Sequence, residues 1–164
     1  MLKKLFGKKN TSSEESVLSP ITGELVEITE VPDPTFSQKM MGDGVAIKPS
    51  SGEVVAPVNG KVVQLFPTKH AIGIESEAGI EYLIHIGLET VSMEGEGFES
   101  FVKEGDKVSV GDQLITFDMN LVEEKAKSTT TPVIVTNSDS FEVQLAEGKQ
   151  VTAGSTELMT VNKK

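Results

Sequence analysis

The chain has 164 residues, a net charge of −10 at pH 7 and an isoelectric point near 4.7. That length suits one domain with a sizeable core, and the acidity disfavours nucleic acid and favours basic partners. The lack of cysteine excludes disulfides, thiol nucleophiles and cysteine zinc sites and fits a reducing cytosol, and no run of ~18 apolar residues is available to span a membrane.

In chain order, residues 1–10 hold Lys3, Lys4, Lys8 and Lys9 and no acid. Leu2, Leu5 and Phe6 fall short of the ~7–15 apolar residues of a secretory signal. Two readings stay open: a solubilising tail, or a short amphipathic segment that touches anionic lipid weakly. Residues 11–16 read as a linker, which divides the chain into a tail at 1–16 and a domain at 17–164. From Val17 on, short β-like runs alternate with Gly, Pro and Asp turn signals. Leu18-Ser19-Pro20-Ile21-Thr22-Gly23-Glu24-Leu25-Val26 is echoed by Val55-Ala56-Pro57-Val58-Asn59-Gly60-Lys61-Val62-Val63. Both carry Pro-x-x-Gly before alternating apolar residues, as expected of a repeated β unit.

Residues 31–36 read as a proline-stiffened loop. Phe36, Met40 and Met41, ahead of the Gly42-Asp43-Gly44 turn, are either core or an adaptable contact patch. Val45-Ala46-Ile47 reads as a strand, and residues 93–98 as loop. Residues 102–114 contain two Gly-Asp turns around a short strand, and Leu114-Ile115-Thr116-Phe117 is another. The helix candidate is residues 121–127, with Asn120 as cap, Glu123 at the capping-box position, and a Glu123–Lys127 pair. Residues 132–136 and 159–161 read as closing strands. Ten or so short strands and one short helix indicate an all-β sandwich or barrel.

The only two histidines stand in two of these strands. In residues 79–91, Ile80, Tyr82, Ile84, Ile86 and Leu88 share a core-facing side at period two, while Glu81, Leu83, His85 and Gly87 share the other. Gly87 is expected to leave bare backbone, and so room, beside His85. His70 opens the alternating run before it, about a hairpin's length away, so antiparallel pairing brings the rings together. A neutral imidazole on a water-poor face keeps a lone pair able to attack phosphorus, and a second imidazole supplies an N–H to a phosphoryl oxygen. Thr68, on the same face of the His70 strand, has a hydroxyl that would fix the His70 tautomer. The alternative is two structural histidines. No His-Glu-x-x-His, Gly-x-Ser-x-Gly or phosphate-loop pattern is present, so a phosphoryl donor would be a phosphoprotein rather than ATP.

The segment His85-Ile86-Gly87-Leu88-Glu89-Thr90 resembles the active-site signature of the glucose-type enzyme IIA components of the bacterial phosphoenolpyruvate-dependent sugar phosphotransferase system. Agreement runs from about Val17 to Val161. It includes Gly42-Asp43-Gly44-Val45-Ala46-Ile47-Lys48-Pro49, Val55-Ala56-Pro57-Val58-Asn59-Gly60, Gly95-Glu96-Gly97-Phe98 and Glu123-Glu124-Lys125-Ala126-Lys127-Ser128-Thr129, in a form like the stand-alone Gram-positive members. The resemblance implies an antiparallel β-sandwich with a duplicated hybrid motif. It implies that His85 is phosphorylated on Nε2, that His70 stabilises the phosphoryl group, and that Thr68 bonds to His70. It implies a histidine phosphocarrier protein as donor and a cysteine on the IIB domain of a sugar permease as acceptor. Phe36, Met40, Met41, Phe66 and Leu83 match the apolar positions of the family's docking face, and Asp33, Glu89 and Asp139 match acidic ones. Met40 and Met41 replace the branched aliphatics of enterobacterial members, and Ser92 stands where some members have an acid. The expectation is a cytoplasmic monomer that requires no cofactor, with zinc at His70 and His85 only incidental.

Overall fold

Alternation of side chains along each strand decides what this fold buries. The structure is a computed structural model that describes residues 14–164; the expectations for residues 1–10 lie outside the described residues. Its strands are β1 (Glu14–Leu18), β2 (Gly23–Glu27), β3 (Asp43–Pro49), β4 (Glu53–Val55), β5 (Gly60–Leu65), β6 (Ala71–Ser76) and β7 (Glu81–His85). They continue with β8 (Phe98–Ser100), β9 (Lys107–Val108), β10 (Gln113–Phe117), β11 (Thr131–Val135), β12 (Phe141–Leu145), β13 (Gln150–Val151) and β14 (Glu157–Lys163). Two short α-helices, α1 (Pro34–Ser37) and α2 (Met119–Lys125), interrupt them.

One eight-stranded sheet runs in the order β9-β5-β6-β7-β11-β3-β2-β13, with every neighbour antiparallel. Its ends do not meet, so the barrel alternative is set aside. Two three-stranded sheets, β4-β10-β8 and β12-β14-β1, cover its inner face. Ile72, Ile74, Tyr82, Ile84, Val133, Val135, Val45 and Ile47 point inward and share one cluster with Val54, Leu114, Ile115, Phe117 and Val161 of the small sheets. Each such fully buried aliphatic contributes about 1.5–3 kcal/mol. Their strand neighbours Ala71, Leu83, Ile134 and Ala46 point outward and form a second cluster with Ile28, Val31, Phe36 and Leu88. This outer cluster is the floor beneath the two histidines.

The repeat is real and internally symmetric. The half-sheet β9-β5-β6-β7 is matched in order by β13-β2-β3-β11. The two Pro-x-x-Gly segments bond to one another, Leu18 N–H to the Pro57 carbonyl (3.1 Å) and Val55 N–H to the Pro20 carbonyl (2.8 Å). Glycine is required at the matching positions 23 and 60. A Cβ there would lie 2.1 Å from the Lys48 carbonyl oxygen and 2.3 Å from that of Glu75.

Several elements differ from expectation. Glu14, Glu15 and Ser16 are paired strand rather than linker, because β1 lies along β14, and the buried Tyr82 donates its Oη–H to half-buried Glu15 at 2.6 Å. α2 begins two residues earlier than expected, capped by Asp118, whose carboxylate accepts from Leu121 N–H at 3.1 Å. Asn120 therefore sits inside the first turn, and Lys127 lies beyond the helix end. The proline loop contains α1, with Pro34 at its start and Asp33 as cap. Strands β12 and β13 went unforeseen: their burial is patchy and Phe-Glu-Val-Gln-Leu is flanked by polar turns.

Candidate active site

Strand β7 ends at His85, where the backbone turns sharply. Gly87 adopts φ +74°, a left-handed conformation open to glycine, and its carbonyl swings back to accept His85 Nδ1–H at 2.8 Å. This bond leaves Nε2 as the ring nitrogen with the lone pair. The bare backbone expected to give a visitor room is instead filled. A Cβ on Gly87 would meet Thr90 Cγ2 at 2.6 Å and the Ser128 carbonyl oxygen at 2.9 Å. Thr90 Oγ1 in turn donates to the Ile86 carbonyl at 2.6 Å. The turn also ends the period-two alternation, so Leu88 joins the outer cluster rather than the inner one.

Gly87→Ala therefore combines an unfavourable φ with two steric contacts. We expect a stability loss of about 2–4 kcal/mol and a shift of His85 from one tautomer to a mixture, read as altered imidazole nitrogen resonances. An unchanged tautomer in the folded variant would contradict this account of the carbonyl.

His70 precedes β6, which pairs with β7 so that Ala71 faces His85. Its carbonyl accepts Ile86 N–H at 2.7 Å, which extends the ladder past the strand ends. The two imidazole centroids are 5.0 Å apart and nearly perpendicular, at 78°. Thr68 is not on the strand face assigned to it. Residues 66–70 form a turn in which Lys69 takes φ +60° and donates its N–H to the Phe66 carbonyl. The turn still brings Thr68 Oγ1 to His70 Nδ1, at 2.5 Å. Aromatic rings flank the pair, with Phe36 centred 5.0 Å from His85 and Phe66 centred 5.3 Å from His70.

Burial holds the His70 imidazole well below the usual histidine value, at about 4, and the neighbouring His85 adds to the effect. Burial lowers His85 as well, against the opposing pull of the Gly87 carbonyl and the Asp33 carboxylate. Both rings are neutral at pH 7. In the unfolded chain each titrates near 6.5. As pH falls below 6.5 the unfolded state binds protons that folded His70 refuses until about 4, so stability present above that window is lost through it. His70→Gln is expected to lose about 2 kcal/mol less than the wild type between pH 7 and 5 in urea unfolding; equal losses would refute it.

The remaining predicted residues separate by place. Phe36 and Leu83 are buried in the outer cluster, with Phe66 packed against it. Asp33 caps α1, its carboxylate accepting Thr35 N–H. Met40 is 70% exposed and Met41 37% exposed, just past α1, so these methionines are surface rather than core. Glu89 is exposed in a left-handed conformation. Asp139 lines a cleft of about 470 Å³ with Lys39 and Asp43, and neither histidine lines that cleft. Sequence reasoning missed the floor residues Ala46, Ala71 and Ile134, whose signal was the same alternation that marked Leu83. It also missed Thr90, for which Gly87-x-x-Thr90 was the only hint. Among the described residues no third His, Asp or Glu joins the two histidines in a metal-binding group.

The family model described as phosphoenolpyruvate-dependent sugar phosphotransferase system, EIIA 1, matches residues 15–141. The chain belongs to this EIIA family. As an EIIA protein it is a phosphotransferase component that takes part in phosphoryl transfer during sugar uptake. It is 56% identical over 165 residues to a Bacillus cereus protein named PTS system glucose-specific EIIA component, with both chains covered in full. It is 58% identical to the like-named Halalkalibacterium halodurans protein, with 98% of each chain covered. The solved structure of glucose permease IIA from Mycoplasma capricolum superposes with a TM-score of 0.87 at 40% identity, covering 92% of this chain and 97% of that one. EIIA components work with phosphocarrier and permease partners. Among the described residues of this EIIA chain, no helix is long and apolar enough to cross a membrane.

Proposed function

We propose that this EIIA protein takes a phosphoryl group onto Nε2 of His85 from the histidine phosphocarrier protein and passes it to a cysteine on the IIB domain of a sugar permease. The observation that carries the reading is the His85 Nδ1–Gly87 carbonyl bond of 2.8 Å, which dedicates Nε2 to nucleophilic attack. In the first step the Nε2 lone pair forms a P–N bond as the donor's P–N bond breaks and its electron pair returns to the donor ring. In the second a cysteine thiolate forms the S–P bond, and the departing pair returns to Nε2.

His70 supplies the stabilising donor. With the Thr68 hydroxyl donating to its Nδ1, the proton of the neutral ring resides on Nε2, and that N–H donates to a phosphoryl oxygen as charge builds. The apolar floor of Phe36, Phe66 and Leu83 keeps water from the phosphohistidine. Asp33, Glu89 and Asp139 steer a basic carrier, with Met40 and Met41 as adaptable contacts. The reading needs no cofactor, because the phosphoryl group arrives already bound to protein. Zinc, were it held by His70 and His85, would compete for the His85 Nε2 lone pair and is incidental to this reading. The protein acts in the cytoplasm as a monomer, residues 1–10 touching lipid weakly at most. The glucose-specific relatives support glucose as the sugar.

The test supplies phosphoenolpyruvate, enzyme I and the phosphocarrier, then a panel of IIB domains. Expected are acid-labile, alkali-stable phosphate on the protein and its transfer to a glucose-type IIB domain. Absence of label, or phosphate stable to acid, would overturn the reading.

A further inference from the structure

The segment that follows α2 touches both supports of His85. Its Ser128 carbonyl and the Val122 side chain close around Gly87, the residue that orients the ring. Its backbone pairs with Leu88, Leu88 N–H donating to the Ser128 carbonyl at 2.9 Å and Lys127 N–H donating to the Leu88 carbonyl at 3.1 Å. From this anchored position the Lys127 ammonium reaches across to donate to the Pro32 carbonyl at 2.8 Å, 95 residues away in sequence. Pro32 leads directly into Asp33, the cap of α1, and α1 carries Phe36, whose ring lies 5.0 Å from that of His85.

We propose that Lys127 is a positioning residue: by donating to the Pro32 carbonyl it holds α1 down, so that Phe36 stays seated against the His85 ring. This rests on the reading of His85 as the phosphorylated residue. Lys127 touches neither imidazole. It acts through a four-residue helix, and since isolated helices of that length do not persist, α1 depends on its tertiary contacts, Phe36 in the outer cluster and Lys127 at Pro32. The bond is charge-assisted and joins two segments that are each fixed elsewhere, Lys127 by the bridge to Leu88 and Phe36 by the outer cluster. Its loss frees α1 to lift, and the first consequence is water at the phosphohistidine.

The experiment phosphorylates wild type, Lys127→Met and Lys127→Arg with the phosphocarrier, removes the donor, and follows loss of phosphate to water at pH 7. A wild type that never labels refutes the underlying reading, whatever Lys127 does. Given labelled wild type, Lys127→Met is expected to hydrolyse roughly three- to ten-fold faster, as expected for losing one charge-assisted hydrogen bond from a closed state. Lys127→Arg, which keeps a donor, should stay within about two-fold of wild type, and loss of this one bond at exposed Lys127 should lower the melting temperature of Lys127→Met by no more than about 5 °C. Equal lifetimes in wild type and Lys127→Met overturn the proposal. So does a drop in melting temperature well beyond about 5 °C in Lys127→Met, which would mean that the lysine supports the fold at large. The position of the Phe36 ring resonances gives an independent readout that needs no phosphate; they should shift in Lys127→Met and return in Lys127→Arg.

Discussion

His85→Ala is expected to take up no phosphate under conditions that label the wild type fully, a loss of at least about 10³-fold. The size of the effect follows from the site's construction. Only two imidazoles are present in the chain. The second, His70, has its Nδ1 engaged by Thr68 and its ring buried to 3% exposure, so it cannot substitute as nucleophile for a docking protein. The fold should survive. His85 is half-buried at a strand end and belongs to neither apolar cluster, so its removal opens no cavity in the inner core. Residual labelling of His85→Ala at the wild-type rate, located by fragmentation to another residue, would end the assignment.

His70→Ala should separate accepting phosphate from passing it on. Acceptance draws on a donor that is itself a phosphohistidine. The end point is reached even if the step is slowed, and full labelling is expected at long times. Onward transfer must outrun hydrolysis. Without the His70 N–H the transferring oxygens lose one oriented donor in a water-poor setting, which costs roughly 10²–10³ in rate. The label should therefore accumulate on His85 and reach the IIB cysteine in low yield. Thr68→Val, which leaves His70 in place but frees its tautomer, should fall between the two. If His70→Ala never labelled at all, the two rings would not divide accepting and passing between them.

The pairing of the histidines was readable because it depends on local order. Alternation in residues 71–76 and 81–85 decides which side chains face which way, and a tight turn between them leaves antiparallel pairing as the simplest outcome. The same holds for the Pro-x-x-Gly repeat, whose glycines answer to close backbone contacts with the adjacent strands. Where expectation failed, a tight turn or a distant segment had decided the matter. Sequence alone leaves open space beside Gly87, yet Thr90 and Ser128 occupy it. Alternation extends the His70 strand back to Thr68, but the left-handed Lys69 makes a turn there and still delivers the hydroxyl to His70. The cap of α2 moved to Asp118 because capping depends on where the preceding strand releases the chain.

The amino-acid order by itself determined the all-β class, the repeat, the side of the sheet that Leu83 and His85 share, and the meeting of His70 with His85. These follow from side-chain direction, which short-range backbone geometry sets at every residue. Tertiary structure alone decided how Gly87, whose carbonyl fixes the His85 tautomer, is walled in by Ser128, and that Lys127 reaches Pro32. Those features depend on carbonyls and ammonium groups brought together from segments as many as 95 residues apart, whose relative placement exists only once the sheets have packed.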